Sequence, residues 1–231
     1  MGSVGSMFLY LIRHAQSQNN ARPGYCRVED PPLTAVGRLQ TQYLAQWALT
    51  FEFNMLVTSP VLRAVQTTRA IHDCTGHHVH VWDNLFEEGG IFRGVGPLAN
   101  EGGPGLKRSQ ITQQAASSPM LCTLDASLTE AGWWGRPRES ADQAAFRTKD
   151  VATRLTLCVR KQEHGVVVVT HADFKRRLLA RLLGQNLEPG QVNHLSNAGV
   201  TQLQLESSSW RLIYLDEVAH LPPRLVTGTK Q

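Results

Sequence analysis

The run Val166-Val167-Val168-Val169-Thr170 limits the folds open to this chain more than any other stretch. A strand with one face in water alternates apolar and polar residues, whereas an unbroken β-branched run has both faces covered. Strands of that kind lie mainly in parallel sheets flanked by helices. The stretch Phe8 to Ile12 has strand length and the same apolar character. Both runs stop on reactive or charged side chains: the first on Arg13-His14, the later one on His171.

The segments between them fit an alternating α/β chain. Thr34 is placed to cap a helix whose apolar positions Val36, Leu39, Tyr43, Leu44, Trp47 and Ala48 recur at helical spacing. Met55 to Ser59 reads as a short strand, and Pro60 suits the first turn of the helix that follows. That helix carries Leu62, Arg63, Val65, Thr67, Thr68 and Ile71, stops near Gly76, and leads to a third strand, Val79 to Trp82. Strand–helix–strand–helix–strand implies right-handed crossovers and a largely parallel sheet. Further on, Ala144, Ala145, Val151, Leu155, Cys158 and Val159 outline a long helix ending near His164-Gly165. Asp173 can cap a helix through Phe174, Leu178, Leu179, Leu182 and Leu183, with Lys175-Arg176-Arg177 as its solvated face. Ala198 to Leu205 and Trp210 to Leu215 are the last strand candidates, joined by Ser207-Ser208-Ser209.

The expected architecture is a three-layer α/β/α sandwich: a mostly parallel central sheet, helices on both faces, and a long Gly/Pro-rich insertion near the active site. Residues 8–216 form its single domain, and the insertion spans 88–139. Ordered excursions of that length carry short helices and serve function, and nothing in this one supplies a core of its own. Residues 1–7 read as an expression remnant or floppy terminus, and 217–231 as a tail along the surface.

Composition narrows the functional classes. The four cysteines lie far apart with no C-x-x-C, which leaves disulfide and zinc frameworks unsupported and points to a reducing, cytoplasmic setting. The net charge of +4 is spread along the chain, which suits small anionic substrates and not a nucleic-acid groove. No apolar run reaches the roughly 18 residues of a membrane span. His77-His78-x-His80 is more in keeping with the exposed start of a strand than with a metal site.

In a parallel sheet the carboxyl ends of the strands share one rim, so Arg13, His14, Arg63 and His171 can meet there. Taken singly each has a plainer reading: a satisfied surface histidine, a solvated helix arginine, a helix-capping histidine. Trp133-Trp134 with Arg136 and Arg138 either line a substrate pocket or anchor the excursion, and Arg93, Lys107 and Arg108 are further candidates to meet a substrate anion.

Several blocks, in order, resemble the histidine phosphatase superfamily of phosphoglycerate-mutase-like enzymes. Arg13-His14-Ala15-Gln16-Ser17 followed by Asn20 is similar to its R-H signature, and Leu33-Thr34-x-x-Gly37-x-x-Gln40 to its L-T-x-x-G-x-x-Q. Ser59-x-x-x-Arg63-Ala64 with Thr67 resembles its S-x-x-x-R-A-x-x-T, Leu85-Phe86-Glu87 its acid motif, Val169-Thr170-His171 its second histidine, and Asn197 its late asparagine. Departures are Ala15-Gln16 for the usual G-E and Ala172 for the usual G; alanine is mild there if the backbone needs no positive φ. The resemblance implies that His14 attacks phosphorus to give a phosphohistidine. Arg13, Arg63 and His171 would hold the oxygens, and Glu87, or its neighbour Glu88, would serve as proton donor. Ser17, Asn20, Arg93, Arg136 and Arg138 are the candidate substrate contacts. The implied activity is a phosphatase acting on a small phosphomonoester, with a phosphoglycerate-type mutase as alternative and a non-catalytic phospholigand-binding protein as a second. Lys107-Arg108-Ser109 only loosely echoes the Arg-Arg-Ser stretch of the family's mutases. No cofactor and no metal are expected, and the partner is a small phosphorylated metabolite, not nucleic acid or membrane. Oligomeric state and the natural substrate are not legible at this level.

Overall fold

The computed structural model describes residues 7–92, 102–184 and 192–228. Seven strands form one sheet in the order β4-β3-β2-β5-β1-β6-β7. They are β1 (Met7–Arg13), β2 (Met55–Thr58), β3 (Val79–Val81), β4 (Cys122–Leu124), β5 (Gly165–Thr170), β6 (Val200–Glu206) and β7 (Ser209–Glu217). The first five in that order pair in parallel, and β6 and β7 extend the β1 edge antiparallel. The valine run is the central strand: β5 lies between β1 and β2, and every residue in it is buried.

Side-chain alternation divides the core into two layers. Tyr10, Ile12, Val167 and Val169 face helices α2 (Ala35–Ala48), α3 (Leu62–Thr75) and α4 (Arg108–Ala115). Leu9, Leu11, Val166 and Val168 face α5 (Ala141–Val159) and α6 (Ala172–Leu183). Successive residues of a strand point to opposite faces, so an unbroken apolar run fills both layers. A one-turn helix, α1 (Gln18–Ala21), follows β1.

Three expectations are revised. The excursion contributes β4 to the main sheet, paired with β3 through Val79–Cys122 and Val81–Leu124, as well as the short helix α4. The tail does not lie loosely on the surface. Leu221 and Leu225 are buried, Gln40 Nε2 donates to the Leu225 carbonyl at 2.7 Å, and Asn197 N donates to the Thr227 carbonyl at 2.8 Å. The first strand, finally, begins at Met7, so that residue belongs to the sheet.

Candidate active site

Strand register brings the two histidines together. In the β1–β5 pair Arg13 lies opposite Thr170, so His14 and His171 are the next residues off adjacent strands. Neighbouring strands are about 4.8 Å apart, and the two rings sit with centroids 5.1 Å apart. Both histidines are buried. On the other side of β5, Thr58 pairs with Val169, which places Ser59 beside the same rim, and His171 Nε2 lies 2.8 Å from Ser59 Oγ.

The hydrogen bonds of His14 determine its tautomer. Nδ1 lies 2.7 Å from the Ala15 carbonyl, which can only accept, so this nitrogen carries the proton. Arg63 Nε donates to Nε2 at 3.0 Å, so Nε2 presents a lone pair. The ring is held neutral far below its ordinary pKa, first by burial, then by the charges of Arg63 and Arg13. His171 is shifted the same way, by burial and then by Arg63. Arg13 Nε and His171 Nδ1 are buried without a hydrogen-bond partner.

The L-T-x-x-G-x-x-Q block braces the loop after β1. Thr34 caps α2 by accepting from Gly37 N, and its hydroxyl donates to Gln16 Oε1 at 2.7 Å. Gln40 Oε1 accepts from Gln16 N at 2.7 Å. A side chain at position 37 would overlap the Gln16 carbonyl, so this close approach requires glycine. Thr67 Oγ1 accepts from Ala15 N and donates to the Arg63 carbonyl, tying the histidine loop to α3. Asn197 Nδ2 donates to the His14 carbonyl and to Asn20 Oδ1, both at 3.2 Å, and Asn20 Oδ1 also accepts from Ser17 N and Oγ. Neither Ala15 nor Ala172 has positive φ; among the described non-glycine residues only Ala198, Ser207 and Asp216 do.

Glu87 and Glu88 are set apart by their partners. Glu87 Oε1 accepts from Phe174 N at 3.0 Å, in the first turn of α6, and from Glu88 N at 2.9 Å. Burial, then the charge of Asp173, raises its pKa above the usual carboxylate value. Glu88 instead forms a bidentate pair with Arg177 at 2.6 and 3.1 Å.

A cleft of about 330 Å³ opens here, and its walls include Arg13, His14, Ser17, Asn20, Arg63, Glu87 and Arg138; His171 lies fully buried behind His14 and is not among them. Arg136 is not among them: its guanidinium lies 4.2 Å from the Trp134 ring centroid and lines a neighbouring groove. The tryptophans pack against Phe86 and each other, so they anchor the excursion. Arg93 lies outside the described residues. Among the described residues no group of three or more His, Cys, Asp or Glu is arranged to hold a metal, and His77 stacks on Phe53.

Sequence reasoning missed several supporting residues. Arg147 lies between the Phe86 and Phe174 rings, 3.7 and 4.1 Å from their centroids, donates to the carbonyls of Asn84 and Phe86, and pairs with buried Glu139 at 2.6 Å. It therefore grips the loop that carries Glu87. Asp30 caps α3 by accepting from Leu62 N at 3.0 Å, and burial raises its pKa to about 6. Lys175 corrects an expectation: it is fully buried, not on a solvated face, and its Nζ donates to the Gly199 carbonyl at 3.1 Å. Burial brings its pKa down to about 7. Helical spacing held a signal for both basic residues, since Arg147 falls between Ala144 and Val151, and Lys175 is three and four residues before Leu178 and Leu179.

Fold and site together define an α/β protein with paired imidazoles and guanidiniums converging at the carboxyl rim of a parallel sheet. The family model of the histidine phosphatase superfamily (branch 1) matches residues 9–217. The chain is 37% identical over 206 residues to a probable phosphoglycerate mutase of Enterobacter sp. (strain 638), covering 87% of this chain and 86% of that one. It is 25% identical over 213 residues to a putative phosphoserine phosphatase of Hydrogenobacter thermophilus, covering 92% and 96% respectively. Among solved structures, a mycobacterial glucosyl-3-phosphoglycerate phosphatase in complex with inorganic phosphate superposes with a TM-score of 0.59 at 25% identity, over 93% of this chain and 99% of that one. The chain belongs to the histidine phosphatase superfamily.

Proposed function

We propose that this protein hydrolyses a small phosphomonoester through a covalent intermediate on His14, in the single domain spanning residues 8–216 with its tail packed beneath the site. The observation that carries this reading is the buried pair of imidazoles, 5.1 Å apart, of which His14 is hydrogen-bonded to Arg63 and shares one cleft with Arg13 and the Glu87 carboxyl. In the first step His14 Nε2 forms a bond to phosphorus, the ester P–O bond breaks, and protonated Glu87 gives its proton to the leaving oxygen. In the second, Glu87 takes a proton from water as that oxygen bonds to phosphorus, the N–P bond breaks, and inorganic phosphate departs. Arg13, Arg63 and His171 bind the non-bridging oxygens and counter their growing charge. The buried, unpartnered nitrogens of Arg13 and His171 support an oxyanion ligand here, because buried polar groups otherwise find partners. Asn20 and Ser17 border the phosphoryl position, and Glu88, neutralised by Arg177, is the weaker candidate for the acid.

These side chains supply the charge that a divalent cation provides elsewhere, so the reaction is read as metal-independent. The substrate is a soluble metabolite and the setting cytoplasmic, with no nucleic-acid or membrane partner; no described helix is long and apolar enough to cross a membrane. Likeness to a protein named as a mutase favours a second reading, in which the intermediate returns its phosphoryl group to the reoriented substrate.

Incubation with p-nitrophenyl phosphate, with and without a chelator, and acid-quench trapping of a labelled phosphohistidine test this directly. Turnover and labelling that both vanish in His14→Ala are expected, with a fall of about a thousandfold or more. A fully active His14→Ala enzyme overturns the proposal, and labelling discharged only by a phosphoglycerate replaces it with the mutase.

A further inference from the structure

One buried cation plays no part in the proposed chemistry. Lys175 stands in the first turn of α6, where its N donates to the His171 carbonyl at 2.9 Å, and its side chain is wholly out of solvent. Burying an ammonium is costly, and an apolar side chain of similar volume fills such a space as well or better. Its contacts show what the amine does. Nζ donates to the Gly199 carbonyl at 3.1 Å, and the same oxygen accepts from Arg13 N at 3.2 Å.

Gly199 closes the turn 195–199, which wraps the strand end carrying Arg13 and His14. The Arg13 guanidinium donates to the Leu195 carbonyl, Ala198 N donates to the Arg13 carbonyl at 3.0 Å, and Asn197 Nδ2 holds the His14 carbonyl. Ala198 has φ 59°, a left-handed conformation that a residue with a Cβ keeps only where its surroundings impose it. Asp216, on β7, also supports the turn. Its Oδ2 accepts from Ser196 N at 2.7 Å, and Oδ1, buried without a hydrogen-bond partner, lies against Gly199. The charged groups that face the Lys175 amine are Asp216, from β7, and Arg13, from β1. Burial disfavours the ammonium, Asp216 favours it and Arg13 opposes it, which leaves its pKa at about 7.

We propose that Lys175 is a positioning residue for the phosphoryl site: its amine clamps the Gly199 carbonyl and so holds the turn that aims the Arg13 guanidinium and backs the His14 carbonyl. The inference rests on the floor formed by Arg13, His14 and Arg63 being that site. The clamp has two strengths. As an ammonium, Lys175 makes a charge-assisted hydrogen bond and adds positive charge behind Arg13; as a neutral amine it makes only an ordinary one. Oxyanion affinity therefore declines as the amine loses its proton near pH 7.

Sulfate tests the clamp, because it stays a dianion from pH 6 to 9 and needs no turnover. Its affinity is measured by calorimetry in the wild type, Arg63→Met, Lys175→Met and Asp216→Asn. Arg63→Met is expected to bind about tenfold more weakly or worse, as loss of a charge-assisted bond implies. The ratio of wild-type to Lys175→Met affinity cancels titrations common to both, that of Glu87 among them. It is expected to be about tenfold at pH 6 and about threefold or less at pH 8.5. A ratio below about twofold at pH 6, or one that does not change with pH, overturns the clamp, since a lysine that merely fills space gives that result. Asp216→Asn keeps the amine and an acceptor for Ser196 N, and covers the case of a Lys175→Met chain that does not fold. With the favouring charge gone, its affinity falls at lower pH than that of the wild type, and an unchanged pH dependence overturns the clamp. Sulfate that does not bind, or that binds equally well to Arg63→Met, overturns the phosphoryl floor and the clamp with it.

Discussion

At the floor of the cleft, His14 and His171 are separated by little more than the spacing of two hydrogen-bonded strands, and each is buried. At the lip, Arg27 and Arg138 come from irregular segments, lie near one aromatic ring, that of Phe92, and are exposed. The floor is placed by backbone register, which cannot shift by one residue without turning a whole strand inside out. The lip depends on side-chain contacts that can be exchanged without disturbing the sheet. Chemistry common to a superfamily suits the first kind of construction, and discrimination among substrates suits the second.

The contrast is sharpest if the floor fails selectively. Glu87→Gln is expected to lower turnover of an alkyl phosphate by about 10² to 10⁴-fold, the usual contribution of a general acid. It should affect p-nitrophenyl phosphate far less, because that leaving group departs without a proton. The pH profile carries the same signature. Burial and Asp173 raise the pKa of Glu87, which keeps the acid protonated to higher pH; burial, Arg63 and Arg13 lower that of His14, which keeps it neutral to lower pH. Rates therefore fall on the alkaline side as Glu87 ionises, and that limb disappears in the variant. Equal losses on both substrates would remove Glu87 from the acid's role.

Next in size is Arg147→Met, which leaves Glu139 buried and unpaired. Equilibrium unfolding should show a loss of about 3–5 kcal/mol, since the side chains of the pair are only 9% and 7% exposed. A loss under about 1 kcal/mol, the range of exposed pairs, would show that the grip on the Glu87 loop is incidental.

Lys175→Met gives a smaller, pH-dependent effect. A lysine with a folded pKa of about 7 against an ordinary 10.5 binds more protons unfolded than folded between those values. Its contribution to stability therefore rises with pH across that window. Urea unfolding from pH 7 to 10 should show a smaller upward slope in the variant than in the wild type, and an identical slope would mean that the amine titrates normally. The lip supplies the smallest effect: Arg138→Gln should change stability by no more than about 0.5 kcal/mol, and a larger loss would make the lip part of the scaffold.

The same division governs what could be read from the chain beforehand. The convergence of Arg13-His14, Arg63 and His171 is legible because strands of a parallel sheet end on one rim, where the β1 and β5 runs stop and α3 begins. Phe92 and Arg27 carried no such mark, since neither lies on a periodic element. Lys175 shows how local reading fails: basic residues in series look solvated, yet the helix turns one of them toward the Gly199 carbonyl and Asp216. The packing of the tail is hidden for a related reason, as its buried anchors, Leu221 and Leu225, are too few to reveal a docking partner.

By itself, the amino-acid order determined the layered α/β scaffold and the charged and imidazole residues that meet at the strand ends, because periodicity and strand termini are local properties. Only the tertiary structure decided that Glu87 meets α6 while Glu88 turns to Arg177, that Arg147 grips the Glu87 loop, and that Arg138 lines the cleft while Arg136 does not. Those outcomes depend on contacts between segments far apart in the chain, and on the burial those contacts produce, for which no local pattern stands in.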